Sequence, residues 1–230
     1  NGIGYVSLST DFEANNLTAL NYEGVAPSKE TVLDGTYGMQ RPFSYVTRAS
    51  GDFADDRTEQ LVAAFIDYLC NSTEGMQVVA DAGGIVDTTK STPWEELKAN
   101  HPIVDEDNSD LTIRTAGSTS VTDTLQAALE SFQSMAGNFQ FTMNQTGSGD
   151  GYKRVLGEEK DGANAADIGF ASREFEGEED VTQGMASGQY CIDAVVAVIS
   201  ADNTFGVTNL TADQIKGIFS GEITAWGDLQ

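Results

Sequence analysis

The chain has 230 residues, 40% hydrophobic and 21% charged, a composition that suits a folded domain long enough to bury a sizeable core. Its 36 acidic and 12 basic residues leave a formal net charge of −24, which argues against a nucleic-acid surface, because phosphate backbones are held by clustered Lys and Arg. No apolar run reaches the ~18–20 residues a spanning helix needs, and a single His with two Cys gives no Cys/His zinc cluster. An anion bound by such a chain has to be held by local dipoles and hydrogen bonds against an unfavourable overall field. No cationic-then-apolar leader opens the sequence, and Asn1-Gly2-Ile3 reads as a start in mid-domain.

A short β-type run covers residues 2–8, and a strand is expected somewhere in 17–22. Ser28 is placed to cap a short helix that Gly35 stops. Residues 41–47 read as a strand whose Pro42 suits an edge or a strand start. Asp55-Asp56 opens a helix in which Leu61, Ala64, Phe65, Tyr68 and Leu69 form one apolar stripe. A second helix follows over 73–82 and stops at Gly83-Gly84. Cys70 and Cys191 both sit in apolar patterns and read as buried free thiols, with a disulfide between them left open. From 87 to 110 the composition turns polar and loses its apolar period, so this stretch is expected to be a surface linker with one helical turn over 94–99. Its acidic run resembles a calcium loop only superficially, since Asp110 and Ala116 stand where the Gly and the Glu would be.

After residue 110 strands and helices alternate. Strands are expected at 111–115, 139–143, 167–171 and 192–199. Helices are expected at 121–135, from 152 onward, and at 211–219, where Thr211 and Gln214 form a capping box. The nearly unbroken apolar run of 192–199 suits a strand covered on both faces. The fold class predicted is α/β, a sandwich with a mostly parallel sheet.

Three polar turns follow three of these strands: Ser118-Thr119-Ser120, then Thr146-Gly147-Ser148-Gly149, then Ser172-Arg173. In sheets of this kind ligands bind beyond the carboxyl ends of the strands. An oxyanion fits the donors on offer: backbone N–H groups at helix starts, the hydroxyls of Ser118, Thr119, Ser120 and Ser148, and a charge-assisted bond from Arg173. Glycines at 147 and 149 let backbone approach a ligand closely. Ser or Thr before a helix is also an ordinary N-cap, and Arg173 beside Glu174 also reads as a surface ion pair, so the case rests on recurrence at three equivalent strand ends. The glycine spacing does not match G-x-G-x-x-G, no P-loop Lys is present, and the lone His101 lies outside the site region, which argues against an enzyme.

Taken together, the turns resemble those of the PstS-like phosphate-binding proteins of ABC transporters, type II periplasmic binding proteins. The resemblance is carried by Ala116-Gly117-Ser118-Thr119-Ser120-Val121, by Thr146-Gly147-Ser148-Gly149, by Ala166-Asp167-Ile168-Gly169-Phe170-Ala171-Ser172-Arg173-Glu174, and by Asn209-Leu210-Thr211 through to Trp226. Residues 1–86 match too, through Gly2-Ile3-Gly4-Tyr5-Val6-Ser7-Leu8 and Tyr37-Gly38-Met39-Gln40-Arg41-Pro42-Phe43. The order departs from the family: there, the segment like 111–230 comes first and the segment like 1–86 last. A middle segment with a Ser-Gly-Thr-Arg turn, most of the second lobe, has no counterpart. The resemblance therefore implies a three-layer sandwich with a mixed, mostly parallel sheet, a type II lobe in permuted order. Residues 1–86 are expected to be the C-terminal part of a binding-protein domain, 87–110 a linker, and 111–230 the N-terminal part, the two parts combining into one lobe. A cut through a tandem repeat and a permutation both account for the order.

The resemblance implies that Ser118, Thr119, Ser120, Gly147, Ser148, Gly149, Ser172 and Arg173 line the site, with no catalytic residue, no metal and no cofactor. Arg173 stands where some relatives have an acidic residue that accepts a proton from phosphate, which leaves acceptor-based discrimination against sulfate open. The implied function is an extracellular, cell-surface or periplasmic module that binds inorganic phosphate or a similar oxyanion for an ABC transporter permease. A cell-surface scaffold derived from a tandem binding protein is the alternative. The exposed strand expected near the N-terminus makes a swapped homodimer an expectation as well.

Overall fold

A computed structural model of the chain describes residues 2–229. In chain order the elements are β1 (Gly4–Ser7), β2 (Leu17–Ala19), β3 (Asn21–Tyr22), α1 (Lys29–Leu33), β4 (Gln40–Thr47), α2 (Asp56–Asn71), α3 (Thr73–Asp81), α4 (Trp94–Leu97), β5 (Thr112–Gly117), α5 (Thr122–Gln133), β6 (Gln140–Gln145), α6 (Ser148–Lys153), β7 (Ile168–Ala171), β8 (Ser187–Ser200), β9 (Asn209–Leu210) and α7 (Ala212–Ser220), with short 3-10 turns among them. Two units separate: a terminal unit of Asn1–Arg41 with Asp193–Gln230, and a central unit of Pro42–Ile192. Both units draw on the two stretches of chain expected to combine.

In the central unit β5 pairs parallel with β6 on one side and with β7 on the other, so three parallel strands end side by side. β4 runs antiparallel to β7, which makes the sheet mixed. Alternation along β5 sends Ile113 to one face and Ala116 to the other. On the first face Ile113, Ile168, Phe170, Phe43 and Tyr45 pack with the apolar residues of α2, α3 and α5. On the second, Val46 and Ala116 pack against Val155 and Ala166, on the side where α6 contacts β5 and β7. That is a sandwich of helix, sheet and helix.

The helices form where local chemistry places them. Asp55 caps α2 by accepting from Thr58 N–H, and the stripe Leu61, Ala64, Phe65, Tyr68 and Leu69 is wholly buried. Ser72 ends α2 and starts α3: its hydroxyl donates to the Tyr68 carbonyl and accepts from Gly75 N–H. α6 begins at Ser148, four residues before the predicted helix start at 152. Its sequence Ser-Gly-Asp-Gly is poor in helix formers, and tertiary packing on β7 overrides that. β8 begins at Ser187, five residues before the predicted start at 192, because Thr47 and Ala186 exchange backbone and hydroxyl hydrogen bonds at its head.

Residues 87–110 are mostly exposed or half-buried, with the expected helical turn at Trp94–Leu97, but four of them are anchored inside. Trp94, Ile103 and Val104 are buried in the main core, and Trp94 meets Tyr68 and Phe132 edge-on at 5.4 and 5.6 Å. Asn108, fully buried, donates to the carbonyls of Ile103 and Ala136. Trp94 and the adjacent pair Ile103-Val104 show no helical or strand period, yet they are enough to pin the segment to the core, each gaining about 1.5–3 kcal/mol by leaving water.

The terminal unit has its own small core of Leu20, Ala197, Ile199, Val207 and Leu210. Here the later part of β8 pairs antiparallel with β1 and β2, and β3 pairs parallel with β9. The predicted capping box on α7 is present, and Gly221 ends the helix in the left-handed region at φ 80°. Asp193 accepts from Arg41 Nε and Nη2 at 2.9 and 2.7 Å and from Ser7 Oγ at 2.8 Å. Both ends of the chain thus belong to a unit with a packed interior. Their end residues Asn1 and Gln230 lie outside the described residues. Among the described residues no helix is long and apolar enough to cross a membrane.

Candidate functional site

The three predicted turns follow β5, β6 and β7, whose carboxyl ends are adjacent in the parallel part of the sheet. Ser118 is buried, and its Oγ donates to Ser172 Oγ at 3.0 Å. Ser148 Oγ lies 3.3 Å from the same Ser172 Oγ and accepts from Ser172 N–H at 3.2 Å. One serine from each turn therefore reaches a common point.

Backbone bonds tie the turns as well. Gly147 N–H donates to the Gly117 carbonyl at 2.8 Å, and Ser118 N–H to the Phe170 carbonyl at 2.9 Å. Both N–H groups are thus engaged within the protein, which removes Gly147 N–H from the donors expected for a ligand. Thr119 and Ser120 are exposed and lie in the 3-10 turn that leads into α5, where Ser120 N–H donates to Ser118 Oγ at 3.2 Å. They are neighbours of the three-serine cluster, and their hydroxyls are not among its bonds. Gly149 lies in the first turn of α6, where a Cβ would meet nothing within 4 Å.

Sequence reasoning missed what lets the turns approach. Gly117 has φ 126°, and a Cβ there would sit 1.9 Å from the Phe170 carbonyl oxygen. A Cβ on Gly169 would sit 2.1 Å from the Gly151 carbonyl oxygen, where α6 lies on β7. Only the absence of a side chain permits either approach. A glycine closing a strand, as Gly117 does, was the available signal. Asp167 adds a clip between β5 and β7: fully buried, it accepts from Arg114 N–H at 2.8 Å, from Nε at 3.1 Å and from Nη2 at 2.7 Å.

Arg173 does not pair with the side chain of Glu174. Its Nη1 donates to the Glu174 carbonyl at 2.8 Å, while Nη1 and Nη2 fork onto Glu179 at 2.6 and 2.9 Å. That bond, first, holds the Glu179 carboxyl below the usual carboxylate range and raises the Arg173 guanidinium. Glu179, six residues along in an acidic stretch, carried no sequence signal. His101 is hydrogen-bonded to Asp67 at 2.8 Å and stacked on Trp94. Cys70 and Cys191 are free thiols, and burial pushes the Cys70 thiol up to about 12. Chemically, the cluster offers hydroxyls as donors and acceptors beside one forked cation, an arrangement that can bind an oxyanion.

Comparison with known proteins gives concordant findings. A family model described as "PBP superfamily domain" matches residues 100–230. Phosphate-binding protein PstS 2 of Streptococcus pneumoniae serotype 4 is 28% identical over 232 residues, covering 100% of this chain and 69% of the relative. The protein of the same name from Streptococcus agalactiae serotype V is 28% identical over 227 residues, covering 99% of this chain and 68% of the relative. A solved structure, the phosphate-binding protein of a phosphate ABC transporter from Streptococcus pneumoniae TIGR4, superposes with a TM-score of 0.77 at 28% identity, covering 100% of this chain and 78% of that one.

Proposed function

The chain belongs to the PBP superfamily and is PstS-like, and from that premise we propose that it is a solute-binding module that takes inorganic phosphate or a related oxyanion, outside the cytoplasm, for an ABC transporter. The observation that carries this reading is the meeting of Ser118, Ser148 and Ser172 at the ends of three adjacent parallel strands. A tetrahedral oxyanion takes several donors at once, and hydroxyls from three directions supply them without a net charge that water would otherwise solvate. Binding of this kind makes and breaks no covalent bond. The relatives, named as phosphate-binding proteins, weigh against the scaffold alternative.

Isothermal titration against phosphate and sulfate tests it. Phosphate is expected to bind, and Ser148→Ala to weaken it about tenfold through loss of a hydrogen bond to a charged ligand. No heat with either anion at millimolar concentration, or an unchanged affinity in Ser148→Ala, overturns the reading.

A further inference from the structure

Arg173 follows directly on Ser172, the serine on which the other two converge, and its guanidinium is already engaged. The two parallel bonds to Glu179 are the fork by which Arg recognises any planar or tetrahedral oxyanion edge. Glu179 takes a third donor, Glu176 N–H, at 3.0 Å. Its side chain is 17% exposed, whereas that of Arg173 is 36% exposed. Gly177, at φ 64°, lies in the loop between the two partners, which also carries Glu174, Glu176 and Glu178. The carboxylate is thus held where an anionic ligand of Arg173 would be.

We propose that Glu179 is an internal competitor: a carboxylate that occupies the guanidinium of Arg173 until an oxyanion seated at Ser118, Ser148 and Ser172 exchanges with it. This rests on the reading of those serines as an oxyanion seat. Exchange breaks both forked bonds and leaves Glu179 as a like charge near the incoming anion, which costs affinity. The site then holds its ligand less tightly than the three serines and Arg173 alone would. The acidic loop sets that level.

The test is phosphate titration of the wild-type chain, Glu179→Gln, Arg173→Gln and the double variant, each checked for fold by circular dichroism. Glu179→Gln is expected to tighten phosphate roughly three- to tenfold, the range that a half-buried pair and one like charge allow. The gain is expected to vanish in the Arg173→Gln background. A merely structural ion pair predicts a lower melting temperature in Glu179→Gln with equal or weaker binding, and that result overturns the proposal. A second measurement needs no variant: carboxyl-carbon NMR of Glu179 in the wild type is expected to show its pKa rising toward the ordinary value when phosphate saturates the chain. An unchanged titration overturns exchange. If wild type binds, Ser148→Ala weakens it and Glu179→Gln does not tighten it, the competitor falls and the binding reading stands. If neither wild type nor Glu179→Gln binds, both fall together.

Discussion

The central and terminal units treat their large apolar side chains differently. In the central unit Phe65, Tyr68, Phe132, Phe139 and Phe170 are wholly buried, and neighbouring rings touch at centroid distances of 5.2–5.6 Å within the Tyr68–Phe132–Phe139 chain. In the terminal unit Tyr5 is 65% exposed and Phe219 53%, and Phe205 and Leu33 also face solvent. Tyr5 and Phe219 meet edge-on, and Phe205 stacks on Trp226 at 5.1 Å. Aromatic rings therefore find partners in both units, but the terminal unit wholly buries Tyr37 and leaves Tyr5, Phe205 and Phe219 open to water, whereas the central unit buries a connected chain of rings. The candidate site lies wholly within the central unit.

The largest expected effect that sharpens this contrast is Trp94→Ala. Trp94 fills the aromatic core from a segment expected to be exposed, and its loss is expected to cost about 3–5 kcal/mol, measured by urea unfolding; a change under ~1 kcal/mol would mean that the core closes without it. Next is Gly117→Ala. Strain at φ 126° and collision with the Phe170 carbonyl together are expected to cost about 2–4 kcal/mol and to weaken phosphate binding more than Ser148→Ala does. A stable variant with wild-type titration would break the link between close strand packing and the site. The smallest is Phe219→Ser in the terminal unit, expected to change stability by less than ~0.5 kcal/mol while lowering the binding of an apolar fluorescent dye. A loss as large as that of Trp94→Ala would erase the distinction between the units.

How far the sequence foretold these features depended on how local their causes are. The α2 stripe and the Thr211–Gln214 box were readable because capping and periodicity involve residues within two turns of each other. The first two candidate turns were readable because strand, polar turn and helix follow one another directly, and the third because a polar pair ends an apolar strand. The start of α6 was not, because Gly151 there is selected by contact with Gly169 and its own segment lacks helix formers. Burial of Trp94 was not, because it depends on Tyr68 and Phe132, which lie far away in sequence. Nor was the partner of Arg173, since no local rule favours Glu179 over the adjacent Glu174.

Three bonds close a ring around the site: Gly147 N–H to the Gly117 carbonyl, Ser118 N–H to the Phe170 carbonyl, and Ser172 N–H to Ser148 Oγ. Each turn is thereby a template for the other two. An insertion or deletion in one shifts the anchor points of both neighbours, so the turns have to vary in concert or stay fixed in length. Anyone transplanting this candidate site onto another sheet would have to move all three turns with their closing glycine as one part.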